Sequence, residues 1–153
     1  ACSRLIARGK KMRIVVKVRA NGYPRQYRDF LKEYYSEIPV EIYPSAFPMK
    51  ELLVKADMYI TPFSGTVFEA AALGVPVIYH KKDTEVLQPP YDGDSELVTT
   101  YSAEELTDKL ELFYRDDPIF KPFSDKKVLE KYIGPFDGKN TERNMNFIYS
   151  ILR

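Results

Sequence analysis

A single cysteine, Cys2, and a single histidine, His80, stand among 153 residues, and these two shortages close off several kinds of chemistry. One thiol forms neither an internal disulfide nor a thiolate metal cluster, and such usage suits a reducing compartment. Excess charge of either sign is missing too. With 23 Lys and Arg against 22 Asp and Glu the formal charge is +1, so no global field draws in nucleic acid or an acidic partner, and any attraction must be local. No apolar run approaches the roughly 20 residues that cross a bilayer, and the N-terminus lacks the apolar core of a signal peptide. The expected location is therefore the cytoplasmic side. There is no internal repeat or low-complexity tract, and the Pro-rich piece Gln88-Pro89-Pro90-Tyr91-Asp92-Gly93-Asp94 reads as a loop.

What is present suits one folded domain. The length is that of a single ordinary domain, and 44% hydrophobic with 14% aromatic residues is enough to build a sizeable core. Twelve Tyr and nine Phe fall mostly at helix or strand spacing, which favours core packing over stacking platforms for nucleic acid. The chain opens without Met, and Ala1 to Arg8 reads as the end of a helix begun upstream. Residues 1–11 are accordingly expected to be a connector from a preceding domain, and residues 12–153 the domain itself. Arg4, Arg8, Lys10, Lys11 and Arg13 make that start basic, either as a solvated connector or as a segment able to lean on anionic lipid heads at the inner face of a membrane.

Periodicity predicts alternating strands and helices. Ile14 to Val18 is a β-branched run, and Asn21-Gly22 then Pro24 lead into a helix with Tyr27, Phe30, Leu31 and Tyr34 on one face. Val40 to Tyr43 reads as a second strand ended by Pro44, Lys50 to Lys55 as a short helix, Met58 to Thr61 as a third strand, Val75 to Tyr79 as a fourth and Leu97 to Thr99 as a short fifth. Ser102-Ala103-Glu104-Glu105 is a capping box for a helix carrying Leu106, Leu110, Phe113 and Tyr114. Strands separated by helices imply right-handed crossovers, and so an α/β, Rossmann-like parallel sheet with helices on both faces. The loops at the carboxyl ends of its strands form the ligand crevice.

The richest local pattern follows the third strand. Pro62 has no N–H to continue a ladder, so the chain turns there. Ser64, Gly65 and Thr66 are small enough for a ligand to approach the backbone, and two of them carry hydroxyls that can bond a phosphate oxygen. A helix starting near Thr66 would aim its free N–H groups at the same spot. Ala70, Ala71 and Ala72 allow close packing on a sheet, and Gly74 is placed as a C-cap. Glu69 has two readings. Thr66-Val67-Phe68-Glu69 fits a capping box, in which the carboxylate folds back on its own helix start. The other reading has that carboxylate accepting hydrogen bonds from two ribose hydroxyls.

The run from Ser64-Gly65-Thr66 through Glu69-Ala70-Ala71-Ala72-Leu73-Gly74-Val75-Pro76-Val77-Ile78 resembles the donor-nucleotide segment in the C-terminal domain of GT-B fold glycosyltransferases and of the related UDP-N-acetylglucosamine 2-epimerases. The resemblance implies that Ser64, Gly65 and Thr66 meet the donor diphosphate and that Glu69 meets its ribose. A weaker likeness lies at Asp137-Gly138-Lys139-Asn140-Thr141-Glu142-Arg143, which is similar to the Asp-Gly-Lys-x-x-x-Arg signature of CDP-glycerol glycerophosphotransferases and related surface-polymer transferases. That subgroup has Arg-Pro-His-Pro after its first C-terminal-domain strand, where this chain has Lys17-Val18-Arg19-Ala20-Asn21-Gly22. The departure removes the subgroup's histidine and counts against glycerophosphate transfer.

The resemblance implies the donor-binding half of a transferase acting on a UDP- or CDP-type nucleotide sugar, with a glycan or lipid-linked acceptor and the catalytic base supplied by a second domain. No metal or cofactor is expected, on the reading that an Asp-x-Asp element is lacking, an expectation corrected below; the turn, the helix dipole and Arg19 or Lys81 would meet the leaving diphosphate. Arg19, Asn21 and Gly22 follow the first strand, so they are expected to border the crevice, as are His80, Lys81 and Lys82 after the fourth. His80 is the candidate general acid or base, set against a structural strand-end histidine. Arg143 is a further candidate ligand contact beside Asp137, and Asp57 reads as a turn residue. Two rivals remain, a 2-epimerase half sharing the central motif and a non-enzymatic α/β module in which Glu69 is only a cap.

Overall fold

The computed structural model describes residues 1–81 and 87–152. In chain order it comprises α1 (Cys2–Ala7), β1 (Ile14–Lys17), α2 (Pro24–Tyr34), β2 (Val40–Tyr43), α3 (Met49–Leu53), β3 (Tyr59–Thr61), α4 (Thr66–Ala72), β4 (Val77–His80), β5 (Val98–Thr100), α5 (Ala103–Phe113), α6 (Lys126–Ile133) and α7 (Asn140–Ile151). Two 3₁₀ turns, Pro118–Phe120 and Pro122–Ser124, lie between α5 and α6. Local chemistry sets several boundaries. Pro24 opens α2 at a position where a missing N–H costs nothing. The α5 capping box forms, with Glu105 N–H donating to Ser102 Oγ at 3.1 Å while the Glu105 carboxylate accepts from Tyr101 N–H at 2.8 Å. At the end of α4, Gly74 takes φ +75°, Gly74 N–H donates to Ala71 O and Val75 N–H to Ala70 O. Those two bonds are a Schellman closure, which needs the left-handed residue that Gly supplies.

All strand pairings are parallel, but they fall into two sheets, β1-β2 and β3-β4-β5. The single continuous sheet expected from the sequence is corrected here: β1 pairs with β2 and not with β3. A physical reason lies in the shortness of β3, three residues closed by Pro62, which leaves few ladder positions for a second partner. Val15 and Ile60 are each 37% exposed, in keeping with the open edge between the sheets.

The three-stranded sheet holds the core, and side-chain alternation along β4 divides it. Val77 and Tyr79 pack with Val67, Ala70 and Ala71 of α4 and Leu129 of α6. Ile78 and Val98 face the other way, against Leu5 of α1, Leu110 of α5 and Phe120. Helices thus cover both faces of this sheet. Residues 1–11 combine exposed basic side chains with a core residue, because Leu5 is fully buried while Arg8 reaches Glu111 at the surface. The last helix differs: α7 has no buried residue at all. Among the described residues no helix is long and apolar enough to cross a membrane.

The loop before β5 is tied to α6 by Glu96, which accepts from Tyr132 Oη at 2.8 Å and pairs with Lys131. The Lys131 and Tyr132 bonds hold the Glu96 carboxyl down at about 2. A carboxylate with a depressed folded pKa stabilises the fold above its ordinary range near 4.5 and loses that contribution as pH falls toward 2. Wild type is therefore expected to lose stability between those values faster than Glu96→Gln, and acid-dependent urea denaturation of the two proteins reads the difference. Identical slopes would show that the tie contributes nothing.

Candidate functional site

The carboxyl ends of β3 and β4 bring the central motif to one edge, since Thr61 is level with Tyr79 in the parallel register and His80 with Thr100. Ser64, Gly65 and Thr66 emerge from β3 at that edge, and Lys81 leaves β4 beside them. The turn is held by a row of hydroxyls: Tyr59 Oη lies 2.6 Å from Thr66 Oγ1, which lies 2.6 Å from Ser64 Oγ. Thr66 N–H also reaches Ser64 Oγ at 3.3 Å. Ser64 and Thr66 thus bond each other in the unliganded chain, and a phosphate oxygen would have to join or replace that pairing. No bond from Ser64 N–H or Gly65 N–H to an acceptor exists among the described residues.

The helix start differs from the sequence expectation in one respect. α4 begins at Thr66, but the N-cap is Gly65, and no side chain caps the helix. Thr66 is inside the helix with its hydroxyl turned to Tyr59, so the Thr66–Glu69 capping box is not formed. Glu69 is exposed and its carboxylate has no hydrogen-bond or ion-pair partner among the described residues. Gly65 has φ −60° and an added Cβ would meet nothing within 4 Å, so its lack of a side chain answers no packing need within the fold. Among the described residues, nothing stands within 4 Å of that position.

The other candidates part company. Lys81 is half-buried, with Nζ 5.8 Å from the centre of the Tyr101 ring and its N–H on Thr100 O at 2.8 Å. His80 Nδ1 lies 2.9 Å from Thr100 Oγ1 across the β4-β5 pair, an anchoring arrangement for the strand end. Lys82 lies outside the described residues. Arg19 and Asn21 are exposed on the loop after β1, which belongs to the other sheet, so the hydrogen-bonded frame does not join them to the Ser64 turn. Gly22 is required by packing rather than by a ligand: a Cβ there would sit 2.6 Å from Val18 Cγ1. Arg143 is engaged within its own loop. Its guanidinium forks onto the Asp137 carboxylate at 2.8 and 3.0 Å and also contacts Asn140, while Asp137 accepts from Lys139 N–H at 3.0 Å. Those bonds hold the Asp137 carboxyl down at about 2. The Asp-Gly-Lys-x-x-x-Arg run therefore staples the start of α7.

The chain does contain one Asp-x-Asp run, Asp92-Gly93-Asp94, so a metal-free reading cannot lean on the lack of such a pair. Here it forms a local turn in which Asp94 N–H donates to Asp92 Oδ1 at 3.2 Å and Gly93 takes φ +90°. Among the described residues no three His, Cys, Asp or Glu side chains gather as a metal site.

One participant was not singled out from sequence. Tyr91, 8% exposed, donates its hydroxyl to Ser64 O at 2.7 Å, and its ring packs against Phe63 at 4.8 Å and Tyr79 at 5.2 Å. Burial pushes its phenol pKa up, so it remains a donor. An aromatic directly after two prolines in a loop was the available signal. No protein-family model, curated protein or solved structure matches this chain.

Proposed function

We propose that the chain is the donor-binding domain of a GT-B type glycosyltransferase, a Rossmann-like half that grips a nucleoside-diphosphate sugar of UDP or CDP type for transfer to a glycan or lipid-linked acceptor. The observation that carries this reading is Glu69, an exposed carboxylate with no hydrogen-bond or ion-pair partner among the described residues, one helical turn from a small-residue turn with none of the described residues crowding Gly65. A carboxylate beside an open turn suits a ribose with its diphosphate, because the diol donates to the carboxylate while the turn and helix start receive the anion. Electrostatic grip on a diphosphate as it leaves is the catalytic contribution such a half makes; acceptor binding and the base belong to a second domain. His80 is a weak base candidate beside its Thr100 contact. The proposed setting is cytoplasmic, with the basic start able to meet the inner face of a membrane.

The test is an amide NMR titration with UDP, CDP, GDP and ADP in turn. Saturable shifts at Ser64, Gly65, Thr66 and Glu69 for one base are the expected result, and silence for all four would overturn the reading in favour of a non-enzymatic α/β module. Gly65→Ala separates site from scaffold. Its helical φ and empty surroundings predict a stability change within about 1 kcal/mol, the small gain of a stiffer chain offsetting the poorer N-cap. The new methyl stands where the ligand would approach, so a weaker nucleotide response with an unchanged thermal midpoint is expected.

A further inference from the structure

We infer that Tyr91 is a positioning residue, coupling the loop of residues 88–97 before β5 to the Ser64–Thr66 turn through its bond to Ser64 O. The inference rests on the nucleotide reading only for what the turn binds. Its own support is geometric. Tyr91 leaves a loop and enters the core beside Tyr79, while the exposed Phe63 also packs against its ring, and these contacts fix the direction of its hydroxyl. That hydroxyl reaches a backbone carbonyl 27 residues earlier, on the segment carrying the candidate diphosphate groups. Ser64 O also accepts from Val67 N–H at 3.2 Å, so one carbonyl ties the first turn of α4 to Tyr91. The loop around Tyr91 is itself braced: Ser95 Oγ donates to Pro90 O at 2.6 Å, accepts from Leu97 N–H at 3.2 Å, and Tyr91 N–H donates to Gln88 O at 2.9 Å. A shift of this loop is therefore transmitted to the carbonyl that orients the turn, and a ligand that moves the turn moves the loop by the same amount of coupling.

Tyr91→Phe keeps the ring and its packing and removes only the donor. Without ligand, hydrogen exchange at Thr66 and Val67, whose N–H groups bond Ser64, is expected to quicken at least fivefold in the variant, while Ile78 and Val98 in the core exchange as before. With UDP or CDP, wild type is expected to show shifts at Tyr91 and Leu97 as well as at the turn. The variant should bind at least fivefold more weakly and lose the Tyr91 and Leu97 response, with a thermal midpoint lowered by no more than about 5 °C, the share of one hydrogen bond. Unchanged exchange at the turn, or quickening spread over the whole sheet, would overturn the positioning role. Faster exchange at the turn in a protein that binds none of the nucleotides would uphold Tyr91 and defeat the nucleotide reading, so the two failures are separable.

Discussion

Glu69→Ala is expected to weaken UDP or CDP binding by ~10- to 150-fold, about 1.5 to 3 kcal/mol, with the thermal midpoint little moved. The affinity side follows from a charged acceptor meeting two hydroxyl donors, the stronger class of hydrogen bond. The stability side follows from what the carboxylate does in the fold. It caps nothing, bonds nothing among the described residues, and projects into solvent from the first turn of α4. Its one fold-level contribution is a favourable position near the helix N-terminus, about 0.3 to 1 kcal/mol, and Ala offsets part of that with its better helix propensity. Were Glu69 a cap, the variant would instead lose stability and leave nucleotide affinity alone, so calorimetry of binding alongside a thermal melt discriminates the two. Glu69→Gln adds a control: it keeps the reach and one acceptor but loses the charge, so its affinity should fall between wild type and Ala. Equal affinity for all three proteins would sink the ribose assignment.

The elements that were legible in the sequence are those whose boundaries are decided within a few residues. β2 runs from Val40 to Tyr43 and ends before Pro44 as expected, and α5 is set by Ser102 and Glu105. The end of α4 is local in the same sense, since Gly74 and Val75 bond back to Ala71 and Ala70. What escaped depends on distant partners. Whether β1 pairs with β3 is a competition between strands more than 40 residues apart, and nothing inside Ile14 to Lys17 records it. Thr66 looked like a cap because its hydroxyl could reach forward; it reaches Tyr59 instead, on the preceding strand. Arg143 looked like a ligand contact because its charge was visible and its fork onto Asp137 was not. The site divides along the same line: Ser64, Gly65, Thr66 and Glu69 sit together because they are contiguous, whereas Arg19 and Asn21 depended on the sheet being continuous.

Leu5→Ala is expected to cost about 2 to 5 kcal/mol, lowering the thermal midpoint of a chain this size by about 5 to 15 °C. Residues 1–11 read in sequence as a basic connector, and a connector residue exposed to water would change the midpoint by a degree or two. Leu5 is instead at 0% exposure, in one cluster with Ile78 of β4, Val98 of β5, Leu110 of α5 and Phe120. Truncation removes three carbons, two of them methyls, from the centre of that cluster and leaves a cavity bounded by the sheet itself, where strands cannot close in as a surface helix could. The polar contacts of the segment cannot compensate. The Arg8 to Glu111 pair is exposed on the arginine side and the Tyr114 hydroxyl bond to Lys11 O, 3.0 Å, lies at the surface, so Arg8→Ala should cost less than about 1 kcal/mol. A large loss for Leu5→Ala beside a small one for Arg8→Ala would place the first helix in the folding unit and leave its basic face free for other contacts. A small loss for both would return residues 1–11 to the role of a tether, with α1 docked too weakly for its burial to stabilise the sheet.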